Sequence, residues 1–135
     1  MQFIEPFLLA SSIIGVLGVR LVRKNCTYCS QPYEPEPGYL RLIPQEMLET
    51  AELRRGVGCK HCIETGFGGR TAITELLVAN EAFREAVLQK LPTRTLQKVA
   101  TDQGMRSLWE MGLQRVVRGE TPLEEILRVV SYEQV

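Results

Sequence analysis

Cys26-Thr-Tyr-Cys29 and Cys59-Lys-His-Cys62 hold every cysteine of the 135-residue chain, and the second runs straight into Ile63-Glu-Thr-Gly-Phe-Gly-Gly-Arg70. A C-x-x-C span wraps two thiolates round one ion, and Zn²⁺ takes four ligands in a tetrahedron. Two such spans, with 29 residues between them and no fifth cysteine to compete, supply all four positions. The spacing therefore points to a four-cysteine zinc site made of Cys26, Cys29, Cys59 and Cys62. Local disulfides and unligated thiols are the alternatives; disulfides suit secreted scaffolds, and nothing else here reads as one. A thioredoxin-type pair needs a low-pKa cysteine at a helix N-terminus in a βαβ setting, and neither pair has that context.

Four protein thiolates leave no position for water or substrate, so the site reads as structural rather than catalytic. Its formal local charge is about −2, and Arg23, Lys24, Lys60 and Arg70 flank the pairs and would partly offset it. His61, the single histidine, is expected as a solvent-facing loop residue; the alternative is that it replaces a cysteine as ligand. The metal would clamp the end of a first strand to the loop before a second one. That would set Leu21-Val-Arg23 beside Arg70-Thr-Ala-Ile73.

Composition sets the frame. Hydrophobic residues make up 44% and charged residues 24%, the balance of a globular chain. Sixteen basic and sixteen acidic residues cancel, leaving no basic excess to neutralise phosphates, so no nucleic-acid partner is expected. The uncharged run at residues 7–19, FLLASSIIGVLGV, has 13 residues, short of the roughly 20 that a spanning helix needs. Glu5 precedes it where a secretory signal would be basic. The run is expected as a buried element of a soluble protein. A Met so close to it suggests an excised fragment, with self-association or local disorder where an upstream partner would pack.

Residues 6–17 read as a helix, with Pro6 tolerated in the first turn and apolar residues around most of the circumference. Gly15 and Gly18 would weaken its end and admit another backbone. From Val19 the pattern Val-Arg-Leu-Val-Arg-Lys reads as a short strand. Four of the seven prolines fall in residues 31–44, predicting an extended connector. Residues 44–53 read as a short helix with Glu46, Glu49 and Glu52 on its polar side. Arg70-Thr-Ala-Ile-Thr-Glu-Leu-Leu-Val78 reads as the second strand.

The last third is helical. Asn80 caps a helix to about Gln89, with Glu81 in its first turn. A second helix spans residues 93–103 and stops at Gly104. Ser107-Leu-Trp-Glu110 fits a capping box, opening a helix that ends at Gly119. Thr121-Pro-Leu-Glu124 fits another, with Pro122 at the first helical position. Leu123, Ile126, Leu127 and Val130 give the final helix one apolar stripe.

No other constellation carries chemistry. Gly66-Phe-Gly-Gly lacks the Lys-Ser/Thr of a phosphate-binding P-loop, so a tight turn after the knuckle explains it. Glu124 and Glu125 sit at a helix start, where a structural role suffices. On its residues alone the chain has no self-sufficient active site.

Three segments together resemble one family. They are Glu5-Pro-Phe-Leu-Leu-Ala-Ser-Ser, then Arg20-Leu-Val-Arg-Lys before the first C-x-x-C, then Gly-Cys-x-x-Cys-x-x-Thr-Gly-Phe-x-Gly-Arg-Thr-Ala-Ile-x-Glu-Leu-Leu. The family is that of the type II secretion and type IV pilus assembly ATPases. Gln103-Gly-Met-Arg-Ser-Leu and Gly119-Glu-Thr-Pro-Leu-Glu-Glu-Ile-Leu-Arg-Val-Val are similar to its C-terminal end. Retraction ATPases of the wider family lack the tetracysteine insert, which favours the assembly or secretion branch.

The resemblance implies an α+β fold: a helix and short strands from the end of a RecA-like core (residues 1–25), a tetracysteine zinc-binding subdomain (26–69), and a return strand with a C-terminal helical subdomain (70–135). It implies that the Walker motifs, and with them ATP and Mg²⁺, belong to the parent protein, so this fragment alone hydrolyses nothing. The implied partners are the upstream ATPase core, neighbouring subunits of a hexamer, and an inner-membrane platform protein. The implied location is cytoplasmic, peripheral at the inner membrane. Gly18-Val19 stands where members often carry Ala-Gln, which is expected to loosen the helix-to-strand junction, and Asn25 stands where Leu is frequent. An independent zinc-ribbon nucleic-acid module and a chaperone-like zinc module are the competing functions. The first lacks a basic face, and the second repeats its C-x-x-C unit more often than this chain does.

Overall fold

The structure, a computed structural model, describes residues 4–130 and mixes helices with two small sheets. In chain order its elements are α1 (Pro6–Ser12), β1 (Gly15–Asn25), β2 (Ser30–Pro32), α2 (Pro37–Leu40), α3 (Gln45–Leu48), β3 (Arg54–Gly56), β4 (Phe67–Val78), α4 (Glu81–Leu88), α5 (Thr93–Asp102), α6 (Leu108–Val117) and α7 (Leu123–Val129). The α+β expectation holds. Two compact units result: one takes the residues up to Gly18 with Thr74–Ser107, the other Val19–Ile73 with the residues from Leu108 on. Among the described residues no helix is long and apolar enough to cross a membrane.

In the first unit, α1 begins at Pro6 as expected but ends at Ser12, because Ile13 is extended (φ −74°, ψ 131°). The expected helix over residues 6–17 is therefore too long, and the strand starts at Gly15 rather than Val19. The β-branched Ile13, Ile14 and Val16 favour extended backbone, and glycine is a poor helix former. Gly18 lies within β1, so the helix-to-strand junction it was expected to loosen does not exist there. Gly15 does admit another backbone: a Cβ on it would meet the Leu77 carbonyl oxygen at 3.1 Å.

The burial expected of α1 also fails. Only Ala10 is buried, while Phe7 is 66% and Leu8 55% exposed. Arg84 of α4 donates through Nη2 to the Ile13 carbonyl at 3.1 Å. Asn80 caps α4 by accepting from Phe83 N–H at 2.9 Å, and α5 ends just before Gly104, which takes a positive φ.

β1 and β4 are neighbours in one sheet, and each strand has residues in both units. In the first unit Gly15 lies against Leu77 and Gly18 against Glu75, so the strands run antiparallel; in the second, Gly68 lies against Cys26. The segments 21–23 and 70–73 thus lie in adjacent strands, as the clamp reading required. Val22 and Ile73 pack with Trp109, Leu113 and Val116 of α6 and with Leu123 and Ile126 of α7. Each such side chain contributes about 1.5–3 kcal/mol when fully buried. The apolar stripe of α7 falls where expected.

The proline-rich connector is more structured than an extended link. Ser30–Pro32 pairs antiparallel with Arg54–Gly56 in the register Ser30↔Gly56 and Pro32↔Arg54. A two-stranded ribbon consists of edge strands, where a proline is tolerated. Pro37 opens α2 from the first turn, where its missing N–H is not needed. The helix expected over residues 44–53 shrinks to α3, since the chain is already turning toward β3 by Leu53.

The second expected capping box does not form. Thr121 is fully buried and its hydroxyl donates to the Arg23 carbonyl at 2.8 Å. Pro122 takes the N-cap place of α7 rather than its first helical position. The Tyr33 hydroxyl does the capping, accepting from Leu123 N–H at 3.0 Å and donating to the Glu124 carboxylate at 2.9 Å.

Candidate metal centre

Both knuckles leave a β-strand. Cys26 follows β1, Cys29 precedes β2, and Cys59–Cys62 forms a tight 3-10 turn between β3 and β4. The crossing behind them requires glycine. Gly56 and Gly66 stack backbone on backbone, and a Cβ on Gly56 would overlap the Gly66 carbonyl and lie 2.8 Å from its Cα. Gly66 also has φ +81° and its carbonyl accepts from Cys26 N–H at 2.9 Å. Gly56→Ala is therefore expected to shift this crossing and destabilise the chain by about 3 kcal/mol, read as a lower urea midpoint. An unchanged midpoint would contradict the packing.

The structure brings all four predicted thiols together, with their sulfurs within 4.8 Å of one another. Cys26 and Cys59 Sγ lie 3.8 Å apart, Cys29 and Cys62 3.8 Å, and Cys59 and Cys62 3.7 Å. Zn–S bonds of about 2.3 Å in a tetrahedron place sulfurs about 3.8 Å apart, so the cluster has the size of an S₄ site. None of the four is in a disulfide. His61 is exposed and stacks on Tyr28, with ring centroids 3.8 Å apart and planes at 15°.

Backbone N–H groups do part of what the flanking cations were expected to do. Gly58 N–H points at Cys29 Sγ at 3.3 Å, and the N–H groups of Cys59 and Gly66 point at Cys62 Sγ, each at 3.2 Å. Burial pushes the Cys29 thiol up to about 11, with Gly58 N–H opposing and the neighbouring thiols reinforcing it. Cys59 is raised too, chiefly by burial. Cys62 goes the other way: burial opposes ionisation, but the two N–H donors and the Cys59 and Cys29 thiols bring it down to about 6. A cation entering the cluster meets one sulfur already prone to ionise and displaces protons from the rest.

Lys24, Lys60 and Arg70 are exposed. Arg23 is engaged elsewhere, which corrects its expected role. Its guanidinium lies 4.1 Å over the Phe67 ring and donates to both Glu125 carboxylate oxygens, at 3.0 and 2.9 Å. Arg23 N–H adds a bond of 2.7 Å, and Arg128 donates to both oxygens at 2.8 and 2.9 Å. Glu125 is thus a buried hub joining β1 to α7, a role that its place at a helix start did not reveal. Its partners lie 102 residues away or at i+3, and only the latter spacing offers a local signal. Asn25 is a second missed tie: its Nδ2 donates to the carbonyls of Arg54 and Gly119 at 2.9 and 3.1 Å. Its Oδ1 is buried without a hydrogen-bond partner among the described residues.

The Type II/IV secretion system protein family matches residues 2–128. The chain belongs to this family. It is 38% identical over 126 residues to the type IV pilus assembly ATPase PilB of Thermus thermophilus, covering 92% of this chain and 14% of that protein. It is 39% identical over 130 residues to the type II secretion system ATPase E of Vibrio cholerae, covering 95% and 25%. Against the type II secretion system protein HxcR of Pseudomonas aeruginosa it is 43% identical over 126 residues, covering 93% and 23%. The chain thus spans a quarter or less of the length of these relatives. The secretion and pilus assembly family expected from the motifs around the cysteines is the one found.

Proposed function

We propose that Cys26, Cys29, Cys59 and Cys62 hold one structural Zn²⁺ ion in the accessory region of an ATPase that powers type II secretion or type IV pilus assembly. The observation that carries the metal is the S₄ cluster, whose sulfurs stand 3.7–3.8 Å apart in three pairs. The donor set fits: four soft thiolates and backbone N–H groups to share their charge, with no position left for water. The bound ion supplies cross-linking of the two knuckles. The protein's own residues supply orientation, through the N–H groups of Gly58, Cys59 and Gly66.

In this reading residues 1–25 continue the ATPase core, 26–69 form the zinc lobe, and 70–135 form the return strand and helical subdomain. The exposed apolar residues of α1 and β1, Phe7, Leu8 and Leu17 among them, support cover by the rest of the parent ATPase. ATP and Mg²⁺ act in that remainder, which assembles as a hexamer in the cytoplasm at the inner membrane, against a platform protein. The zinc lobe transmits motion or contacts partners; it does not cleave nucleotide. Elemental analysis of the chain purified without added metal is expected to give about one zinc per chain. A metal-free chain of undiminished thermal stability would refute the assignment.

A further inference from the structure

Cys26, Cys29 and Cys62 are buried, whereas Cys59 is half-buried. We propose that Cys59 is a modification site of the metal centre: the one sulfur of the four that soft electrophiles and peroxides reach while the ion is bound. The proposal rests on the zinc reading above.

Attack by a thiolate needs an open approach to sulfur as well as electron density on it. The two criteria select different residues. Cys62 accepts two backbone N–H bonds, Cys29 accepts one, and Cys59 accepts from the N–H groups of Cys62 and His61. No such donor to Cys26 is found among the described residues, so electron density alone would select Cys26. Cys26, however, is 3% exposed, and its Cα lies beneath the Gly68 backbone. N–H bonds only attenuate a sulfur, while a sealed one cannot be approached at all. Access therefore decides, and Cys59 lies between Gly58 and the exposed Lys60.

The chemistry that follows balances within the cluster. With a maleimide, Cys59 Sγ adds across the C=C bond and the resulting carbanion takes a proton from water. With a peroxide, Sγ attacks one oxygen, the O–O bond breaks and hydroxide leaves. The sulfur is oxidised by two electrons to a sulfenic acid and the peroxide is reduced by two. Cys62 and Cys26 lie 3.7 and 3.8 Å from Cys59. Either thiolate then attacks the oxidised sulfur and displaces hydroxide, closing a disulfide. Each route removes donors from the ion, and the peroxide route removes two of four.

The zinc-loaded chain, its metal content measured first, is treated with less than one equivalent of N-ethylmaleimide and digested with trypsin. Cleavage after Arg55 and Lys60 puts Cys59 alone in the peptide 56–60, Cys62 in 61–70, and Cys26 with Cys29 in a third. The first adduct is expected on peptide 56–60 by at least about tenfold over the others, with zinc released to a chelating dye in proportion. In guanidinium with a chelator the four cysteines should label alike, which ties the preference to the fold. Zinc present with labels spread evenly, or first on another cysteine, overturns the proposal; preference that persists in guanidinium does so as well. A chain without zinc overturns the reading on which it rests, and the initial metal measurement distinguishes the two failures.

Discussion

Cys62→Ser is expected to abolish zinc binding and unfold the two cysteine knuckles and the β2–β3 ribbon beside them. The buried cluster at the two knuckles consists of Cys26, Cys29 and Cys62 with Cys59 packed against them, and among the described residues no aliphatic side chain joins it; Ile43, between the knuckles in sequence, packs instead in the larger aliphatic core. Tyr28, Val57 and Ile63 all face solvent. The metal is thus what holds the two knuckles together in the proposed reading. Structural zinc contributes roughly 10–16 kcal/mol of apparent binding free energy, as much as a whole domain's stability of about 5–15 kcal/mol. A serine hydroxyl stays protonated at neutral pH and is a harder donor, so it does not replace the thiolate. The measurement is hydrogen exchange with mass spectrometry alongside metal content. Amides of β2, β3 and the second knuckle should lose protection, while those of α4 and α5, which belong to the other unit, keep theirs. A serine variant that retains zinc and lobe protection would sink the prediction.

What was readable in advance divides by the range of the interaction. The cysteine spacing and the caps are local signals: Asn80 and Gly104 act within a few residues of the helices they delimit, and α4 and α5 fall where those residues place them. Failures came where a distant partner decided. Thr121 has the local pattern of a capping box, but its hydroxyl is taken by Arg23, 98 residues away, and Tyr33 replaces it from 90 residues away. The run 7–19 failed for a different reason. It is apolar at nearly every position, so neither the helical nor the strand period stands out, and a helix and a strand look alike. Ile13-Ile14-Gly15 held the only cue to the break. The prolines misled because a ban on helix interiors does not extend to a first turn or an edge strand.

Glu125 is the second residue at which a single change should be felt strongly. Its side chain is fully buried and accepts from Arg23 and Arg128, whose own side chains are 44% and 54% exposed. Burial opposes its ionisation, but the hydrogen bonds from Arg128 and Arg23 win and hold the carboxyl down at about 2, against an ordinary value of 4.5. Glu125→Ala removes the acceptor for five N–H bonds and leaves the partly buried Arg23 guanidinium without its counter-charge. Breaking such a pair from one side costs about 3–5 kcal/mol; the solvent reach of both arginines places the expectation at the lower end. The pH dependence has a fixed sign. A carboxyl with a depressed folded pKa stabilises above its unfolded pKa, and that stabilisation is lost as pH falls through the folded value. The Glu125 contribution should therefore be complete above about pH 5 and decline between about pH 4.5 and 2. Glu125→Gln keeps the shape but cannot titrate. Urea midpoints measured across pH 2–7 should converge for wild type and Glu125→Gln at the acid end and separate above pH 5. A constant gap between the two curves would show that the hub acts through shape and not through charge.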